Sequence, residues 1–209
     1  MTADGQRAFA TSLRDLLLRD FALRDRARPV VGVAGESGSG KSVTATELAR
    51  ALDAAGLRTA VLHQDDYFHL PPRTNHEHRC ESLAHVGPHE VNLALLASHV
   101  AAFRAGHDVD EAPRVDYPGN RFVARHLPLA SCDALVVEGT YVLTLDDLDV
   151  RIFLEATHDD TRERRRARNR DIDAPIVDQV LAIEHAIIAR QAERADVLID
   201  RDFTIRRRR

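Results

Sequence analysis

Short apolar runs recur along the chain, and longer segments with helical periodicity separate them. The runs occupy positions 30–34, 59–62, 134–137, 150–154 and 197–199. Continuous apolar runs of this length indicate strands that are buried on both faces, whereas a strand with one face in water alternates apolar and polar residues. The pattern therefore predicts an α/β fold in which helices cover both sides of a parallel sheet.

The segments between these runs predict the helices. Residues 1–27 contain an amphipathic helix with four apolar residues on one face, namely Phe9, Leu13, Leu16 and Leu17. Further helices are predicted after the first run, over the segment ended by Gly106, and between residues 176 and 187. Residues 71–88 are rich in proline and histidine and predict an irregular segment. Because no linker or repeat divides the chain, we expect one domain over residues 1–209.

The strongest chemical signal follows the first apolar run. Residues 35–42 fit the phosphate-loop pattern G-x-x-x-x-G-K-S/T, between a predicted strand and a predicted helix. Glycines permit a tight turn in which backbone N–H groups point at phosphate oxygens. Lys41 is the only lysine in the chain, and its compact ammonium fits between phosphate oxygens where a guanidinium does not. The nucleotide-binding candidates are Gly35, Ser37, Gly38, Ser39, Gly40, Lys41, Ser42 and Val43. We expect Ser42 to ligate Mg²⁺.

Three acidic residues follow predicted strands. Asp65 and Asp66 come after the second apolar run, and Glu138 comes after the third. Ligands of open parallel sheets bind beyond the carboxyl ends of the strands. Phosphoryl transfer uses one carboxylate to accept the hydroxyl proton and another to hold magnesium or its water shell. Asp65 or Asp66 fits the first role, and Glu138 fits the second.

Arginines are concentrated between residues 162 and 170. Arg162, Arg166 and Arg170 are spaced four residues apart, so they share one face of a helix. Such a face suits a lid, over about residues 160–172, that closes on the nucleotide, with Arg166 meeting the transferred phosphoryl group. The other interpretation is a solvated surface whose arginines pair with neighbouring acids.

Composition narrows the functional classes. A formal net charge of −4 argues against general affinity for nucleic acid, and the arginines at 206–209 are expected to form a solvated, frayed end. Two cysteines and the lack of a long apolar stretch favour a cytoplasmic protein without disulfides or membrane contact. The histidines between 69 and 89 match no standard zinc spacing. The lone lysine also leaves no guanine-specific N-K-x-D motif.

Five segments together resemble the uridine kinase/phosphoribulokinase family of P-loop kinases. They are residues 35–42, His63-Gln64-Asp65-Asp66-Tyr67, Val137-Glu138-Gly139-Thr140, 160–162 with the arginines that follow, and 195–199. Their order matches the family from about residue 28 to 200. The resemblance implies a nucleoside-monophosphate-kinase-like sheet of five parallel strands with a small Arg-rich lid. It also implies ATP with Mg²⁺ as phosphoryl donor, a small-molecule hydroxyl as acceptor, and Asp65 as catalytic base.

The acceptor-site motifs of uridine kinases are matched only in part. Val86 stands where the family has a ribose-contacting Asp, Val115 replaces a Tyr, and Asn120 replaces a base-contacting His. The acceptor is therefore expected to be a nucleoside such as uridine or cytidine, or a related sugar or alcohol. The candidates for contact with it are Asp65, Tyr67, Glu90, Asp116, Tyr117 and Arg121. The alternative function is a nucleotide-dependent regulatory switch without a small-molecule acceptor. The oligomeric state stays open.

Overall fold

A six-stranded sheet forms the centre of the molecule. The structure is a computed structural model that describes residues 2–160 and 175–208. Within these residues, five strands run parallel in the order β2 (Thr59–His63), β5 (Ala134–Gly139), β1 (Val30–Gly35), β6 (Val150–Leu154) and β7 (Val197–Ile199). A sixth strand, β8 (Ile205–Arg207), pairs antiparallel with β7 at the edge. The predicted parallel sheet is confirmed, with one antiparallel strand added to its five parallel ones.

Helices cover both faces of this sheet. They are α1 (Ala3–Asp20), α2 (Lys41–Ala54), α3 (Pro72–Glu81), α4 (Leu93–Arg104) and α5 (Pro175–Ile188). Because side chains alternate along a strand, β1 contributes Val31 and Val33 to the core beneath α1 and α2. Its Val30 and Ala34 enter the second core, beneath α4 and the end of α5. In the described residues, no helix is both long and apolar enough to cross a membrane.

Three expectations about local structure were wrong. The segment at 71–88 contains helix α3, whose Pro72 lies in the first turn, where a missing N–H costs nothing. Strands and helices do not alternate throughout, because β3 (Val109–Asp116) and β4 (Arg121–Leu127) form a separate antiparallel hairpin. The C-terminal arginines do not simply fray: Arg206 and Arg207 belong to β8, where pairing with β7 satisfies their backbone.

Candidate active site

The phosphate loop joins β1 to α2 at the bottom of a cavity of about 360 Å³. Gly38 and Gly40 have φ angles of 79° and 101°, a left-handed conformation that favours glycine. Gly35 is also required, since a Cβ there would lie 2.7 Å from the Ser39 hydroxyl oxygen. The loop residues on the cavity wall are Ser37, Gly38, Lys41 and Ser42. The phosphate loop therefore presents the Lys41 ammonium, the Ser42 hydroxyl and part of its backbone to a single cavity.

A buried glutamate anchors the phosphate loop to other parts of the fold. Glu36 is 5% exposed and accepts a hydrogen bond of 2.6 Å from the backbone N–H of His158, which follows β6. Its other carboxylate oxygen lies 2.6 Å from Nδ1 of His185 on α5. The phosphate loop is therefore tied to two distant segments. The motif leaves this position unspecified, so no signal in the sequence pointed to the contact.

The two adjacent aspartates have different environments. Both lie in a single 3₁₀ turn, Gln64–Tyr67, directly after β2. Asp65 lines the cavity and accepts a hydrogen bond of 3.1 Å from the Tyr117 hydroxyl. Asp66 is 5% exposed, and accepts hydrogen bonds of 2.9 Å from the Val115 N–H and from Arg125. Asp65 is thus the acid available to a ligand, whereas Asp66 fastens the β3–β4 hairpin to the core.

Electrostatics tune the Asp65 carboxyl. The residue is exposed at the cavity, yet the protein around its carboxyl displaces part of the water, and this desolvation raises its pKa. The Lys41 ammonium opposes the rise, the charge of Glu138 adds to it, and the Tyr117 hydrogen bond lowers the pKa again. An elevated pKa brings a carboxylate closer to the range in which it serves as a general base.

Glu138, at the end of β5, is 3% exposed. Burial alone would raise its pKa, but His63 Nδ1, 2.7 Å from Oε1, and the Lys41 ammonium bring the pKa below its ordinary value. In turn, the hydrogen bond to Glu138 raises the pKa of His63. The buried Oε2 of Glu138 accepts no hydrogen bond within residues 2–160 and 175–208. A charged oxygen of this kind beside the Ser42 hydroxyl fits a hard cation such as Mg²⁺.

Gln64 sets the distance between the end of β2 and the end of β5. Its side chain is fully buried, accepts a hydrogen bond of 2.7 Å from the Tyr141 N–H and donates one of 2.9 Å to the Thr140 hydroxyl. It packs so tightly on Gly139 that a Cβ there would lie 2.6 Å from its amide oxygen. The glycine after Glu138 therefore lets the ends of β2 and β5 approach closely.

A buried charged network forms the opposite wall of the cavity. Arg79, from α3, binds Glu90 through two hydrogen bonds and Glu184, from α5, through one of 2.9 Å. Asn75 donates a hydrogen bond of 2.9 Å to Oε1 of Glu90, the oxygen that also accepts from Nε of Arg79. Burial alone would raise the pKa of Glu90, but Arg79 and the Gly87 N–H hold it below its ordinary value. Burial raises the pKa of Glu184, with Arg79 acting against that rise.

Some of the predicted site residues line the cavity and others do not. The predicted residues on the cavity wall are Ser37, Gly38, Lys41, Ser42, Asp65 and Tyr117. Tyr67 is 1% exposed, and its hydroxyl lies 2.8 Å from His99 Nδ1 in the core. Glu90 is buried behind Arg79, and Val43 lies on the first turn of α2. Arg162, Arg166 and Arg170 lie outside the described residues.

The hairpin turn holds the remaining two predicted acceptor contacts. Asp116 accepts hydrogen bonds from the Gly119 N–H at 3.1 Å and from Arg121 at 3.0 Å. These bonds close the turn between β3 and β4, and they bring Tyr117 against Asp65. Asp116 and Arg121 therefore shape the element that carries Tyr117.

Sequence reasoning missed Arg79, Glu184, His63 and Glu36. Glu184 and Arg79 are 105 positions apart, and both lie on segments that carry no recognisable motif. His63 adjoins the predicted acids, yet only the pairing of β2 with β5 places it opposite Glu138. No local signal could have found these pairs.

Comparison with known proteins gives a consistent result. The model of the Phosphoribulokinase / Uridine kinase family matches residues 30–205. A uridine kinase from Leuconostoc citreum is 30% identical over 171 residues, which cover 73% of this chain and 76% of that protein. The bifunctional alpha-galactosidase/sucrose kinase AgaSK from Mediterraneibacter gnavus is 28% identical over 193 residues. That match covers 85% of this chain but only 20% of the longer bifunctional protein.

A solved structure supports the same grouping. It is a kinase assigned to a fructose transport system in Silicibacter sp. TM1040, with a TM-score of 0.64 and 25% sequence identity. The match covers 89% of this chain and 94% of that one. Similarity therefore extends over nearly the whole fold.

Proposed function

Because the chain belongs to the phosphoribulokinase/uridine kinase family and is a phosphotransferase that acts on a hydroxyl group, we propose that it phosphorylates a nucleoside or a related small alcohol or sugar. The donor is the γ-phosphoryl group of ATP. One observation carries this proposal: the Asp65 carboxylate lines the same cavity as Lys41 and Ser42 of the phosphate loop. A base beside the phosphate loop is what hydroxyl phosphorylation requires.

The reaction assigns a role to each of these side chains. The acceptor hydroxyl oxygen forms a bond to the γ-phosphorus, and the bond from that phosphorus to the bridging oxygen of ADP breaks. Asp65 accepts the hydroxyl proton, and Tyr117 orients its carboxylate. Lys41 balances charge on the phosphate oxygens. Arg162, Arg166 and Arg170 are proposed to approach the same phosphates.

Ser42 and Glu138 are proposed to hold Mg²⁺. The buried Oε2 of Glu138, which accepts no hydrogen bond from the described residues, supports this assignment. A bound Mg²⁺ would neutralise charge on the β- and γ-phosphates. His63 keeps the Glu138 carboxylate ionised through its hydrogen bond, and so keeps it able to bind a cation.

An acceptor panel tests the proposal. ADP release from ATP and Mg²⁺ is measured with nucleosides, sugars and small alcohols, and the phosphorylated product is identified by mass spectrometry. We expect at least one acceptor to accelerate turnover and to gain one phosphoryl group. Turnover that no acceptor accelerates would instead favour the regulatory switch. Asp65→Asn serves as the control, because it should abolish acceleration by the acceptor.

A further inference from the structure

The far wall of the cavity contains a charged side chain that phosphoryl transfer does not use. Glu184 is 9% exposed and lines the cavity together with Asp65. Its Oε1 accepts a hydrogen bond from Arg79, whereas its Oε2 accepts none from the part of the chain that the structure describes. A carboxylate that lines a cavity can accept hydrogen bonds from the hydroxyl groups of a ligand bound there.

The carboxylate is held rigidly. Arg79 is itself fixed by two hydrogen bonds to Glu90, and Glu90 accepts further bonds from Asn75 and from the Gly87 N–H. This chain of contacts anchors Glu184 to α3 and to the turn before α4. A binding group supported in this way loses little freedom when a ligand arrives.

The charge balance of this wall identifies the class of ligand. The guanidinium of Arg79 is already paired with two carboxylates, so it offers no surplus positive charge to an anion. Among the described residues, Lys41 belongs to the phosphate loop, and Arg73 is exposed at the cavity wall, where solvent screens its charge. An acceptor bearing its own phosphate or carboxylate would meet Glu184 as a like charge. Neutral hydroxyl groups, in contrast, are donors that match its free lone pairs.

From these contacts we propose that Glu184, held by Arg79, binds the acceptor through its hydroxyl groups and thereby selects neutral polyhydroxylated acceptors over phosphorylated or carboxylated ones. One hydroxyl donates to Oε2, and a neighbouring hydroxyl donates to the remaining lone pair of Oε1. The inference rests on the proposed kinase function, and it specifies which acceptors the same cavity takes.

The test compares neutral and anionic members of matched pairs. The probes are fructose and fructose 6-phosphate, uridine and its 5′-monophosphate, and glycerol and glycerate. Binding is measured by calorimetry with a non-hydrolysable ATP analogue and Mg²⁺ present, and turnover is measured with ATP. We expect the neutral member of at least one pair to bind and react, and its anionic counterpart to do neither. Preference for the anionic members would overturn the inference.

The variants Glu184→Gln and Glu184→Asp examine the residue itself. For the neutral acceptor, each should raise Kd and KM by about 10- to 100-fold, the usual effect of losing a hydrogen bond to a charged group. The KM for ATP should stay unchanged. Glu193→Gln is the matched control, since Glu193 is exposed and lies outside the cavity. Melting temperatures separate lost binding from lost folding, and Glu184→Asp retains the charge for Arg79.

The outcomes separate this inference from the proposed function. A neutral acceptor that binds the wild-type protein, loses affinity in Glu184→Gln and is never phosphorylated would refute the kinase proposal and support the role of Glu184. A phosphorylated acceptor whose Kd and KM are the same in wild type, Glu184→Gln and Glu184→Asp would refute the role of Glu184 alone. If no probe binds, both proposals are wrong.

Discussion

The neighbouring residues Asp65 and Asp66 should show different defects when each is changed to asparagine: one should lose turnover and the other should lose stability. Asp65 faces the cavity, and it accepts a hydrogen bond from the Tyr117 hydroxyl. Asp65→Asn keeps the shape of the side chain but removes the base. We therefore expect kcat to fall by roughly 10²- to 10⁴-fold, with little change in the melting temperature or in the Kd for ATP.

Asp66→Asn should instead act through stability. Removing one partner of a buried ion pair costs about 3–5 kcal/mol. Arg125 keeps 25% of its side-chain surface exposed, so water offsets part of that loss and we expect about 2–3 kcal/mol. For a protein of this size the melting temperature falls by roughly 2–4 °C per kcal/mol, which gives a decrease of about 4–12 °C. The β3–β4 hairpin should also pack less firmly on the core, because Asp66 accepts a hydrogen bond from the Val115 N–H.

The assay combines thermal unfolding with steady-state kinetics, using an acceptor validated on the wild-type protein. Arg125→Gln provides the partner for a double-mutant cycle, because its loss should not add fully to that of Asp66. These roles are refuted if Asp66→Asn melts like the wild type and loses turnover while Asp65→Asn retains it. That result would make Asp66 the base.

Three further predictions concern the cavity and the strand ends beside it. Lys41→Arg should reduce turnover severely with no change in melting temperature, because a planar guanidinium cannot replace a compact ammonium; near-normal kinetics would remove Lys41 from the phosphate site. Gly139→Ala should destabilise the protein by about 1–3 kcal/mol, since the new methyl group meets buried Gln64; an unchanged urea midpoint would contradict this. The acid limb of the kcat/KM profile should lie above the range of an ordinary carboxyl, because the pKa of Asp65 is raised and the base must be deprotonated. Tyr117→Phe removes a hydrogen bond that lowers this pKa, so it should move that limb to still higher pH; a move to lower pH would refute the assigned hydrogen bond.

The sequence alone determined the features that depend on neighbouring residues. Continuous apolar runs predicted the five parallel strands, and the spacing within residues 35–42 predicted the phosphate loop. Both signals are local: a turn needs glycine at particular positions, and a strand buried on both faces needs consecutive apolar residues. The acids at 65, 66 and 138 could likewise be placed at strand ends, because parallel strands bring those ends to one edge.

Only the tertiary structure decided how distant segments meet. Asp65 and Asp66 are alike in sequence, and the packing of the β3–β4 hairpin is what buries one and leaves the other facing the cavity. Arg79 and Glu184 become partners only when folding brings a residue of α3 next to a residue of α5. A side chain's chemistry depends on the charges and donors that surround it after folding. For these residues the surroundings come from segments far away along the chain, where no local pattern specifies the contact.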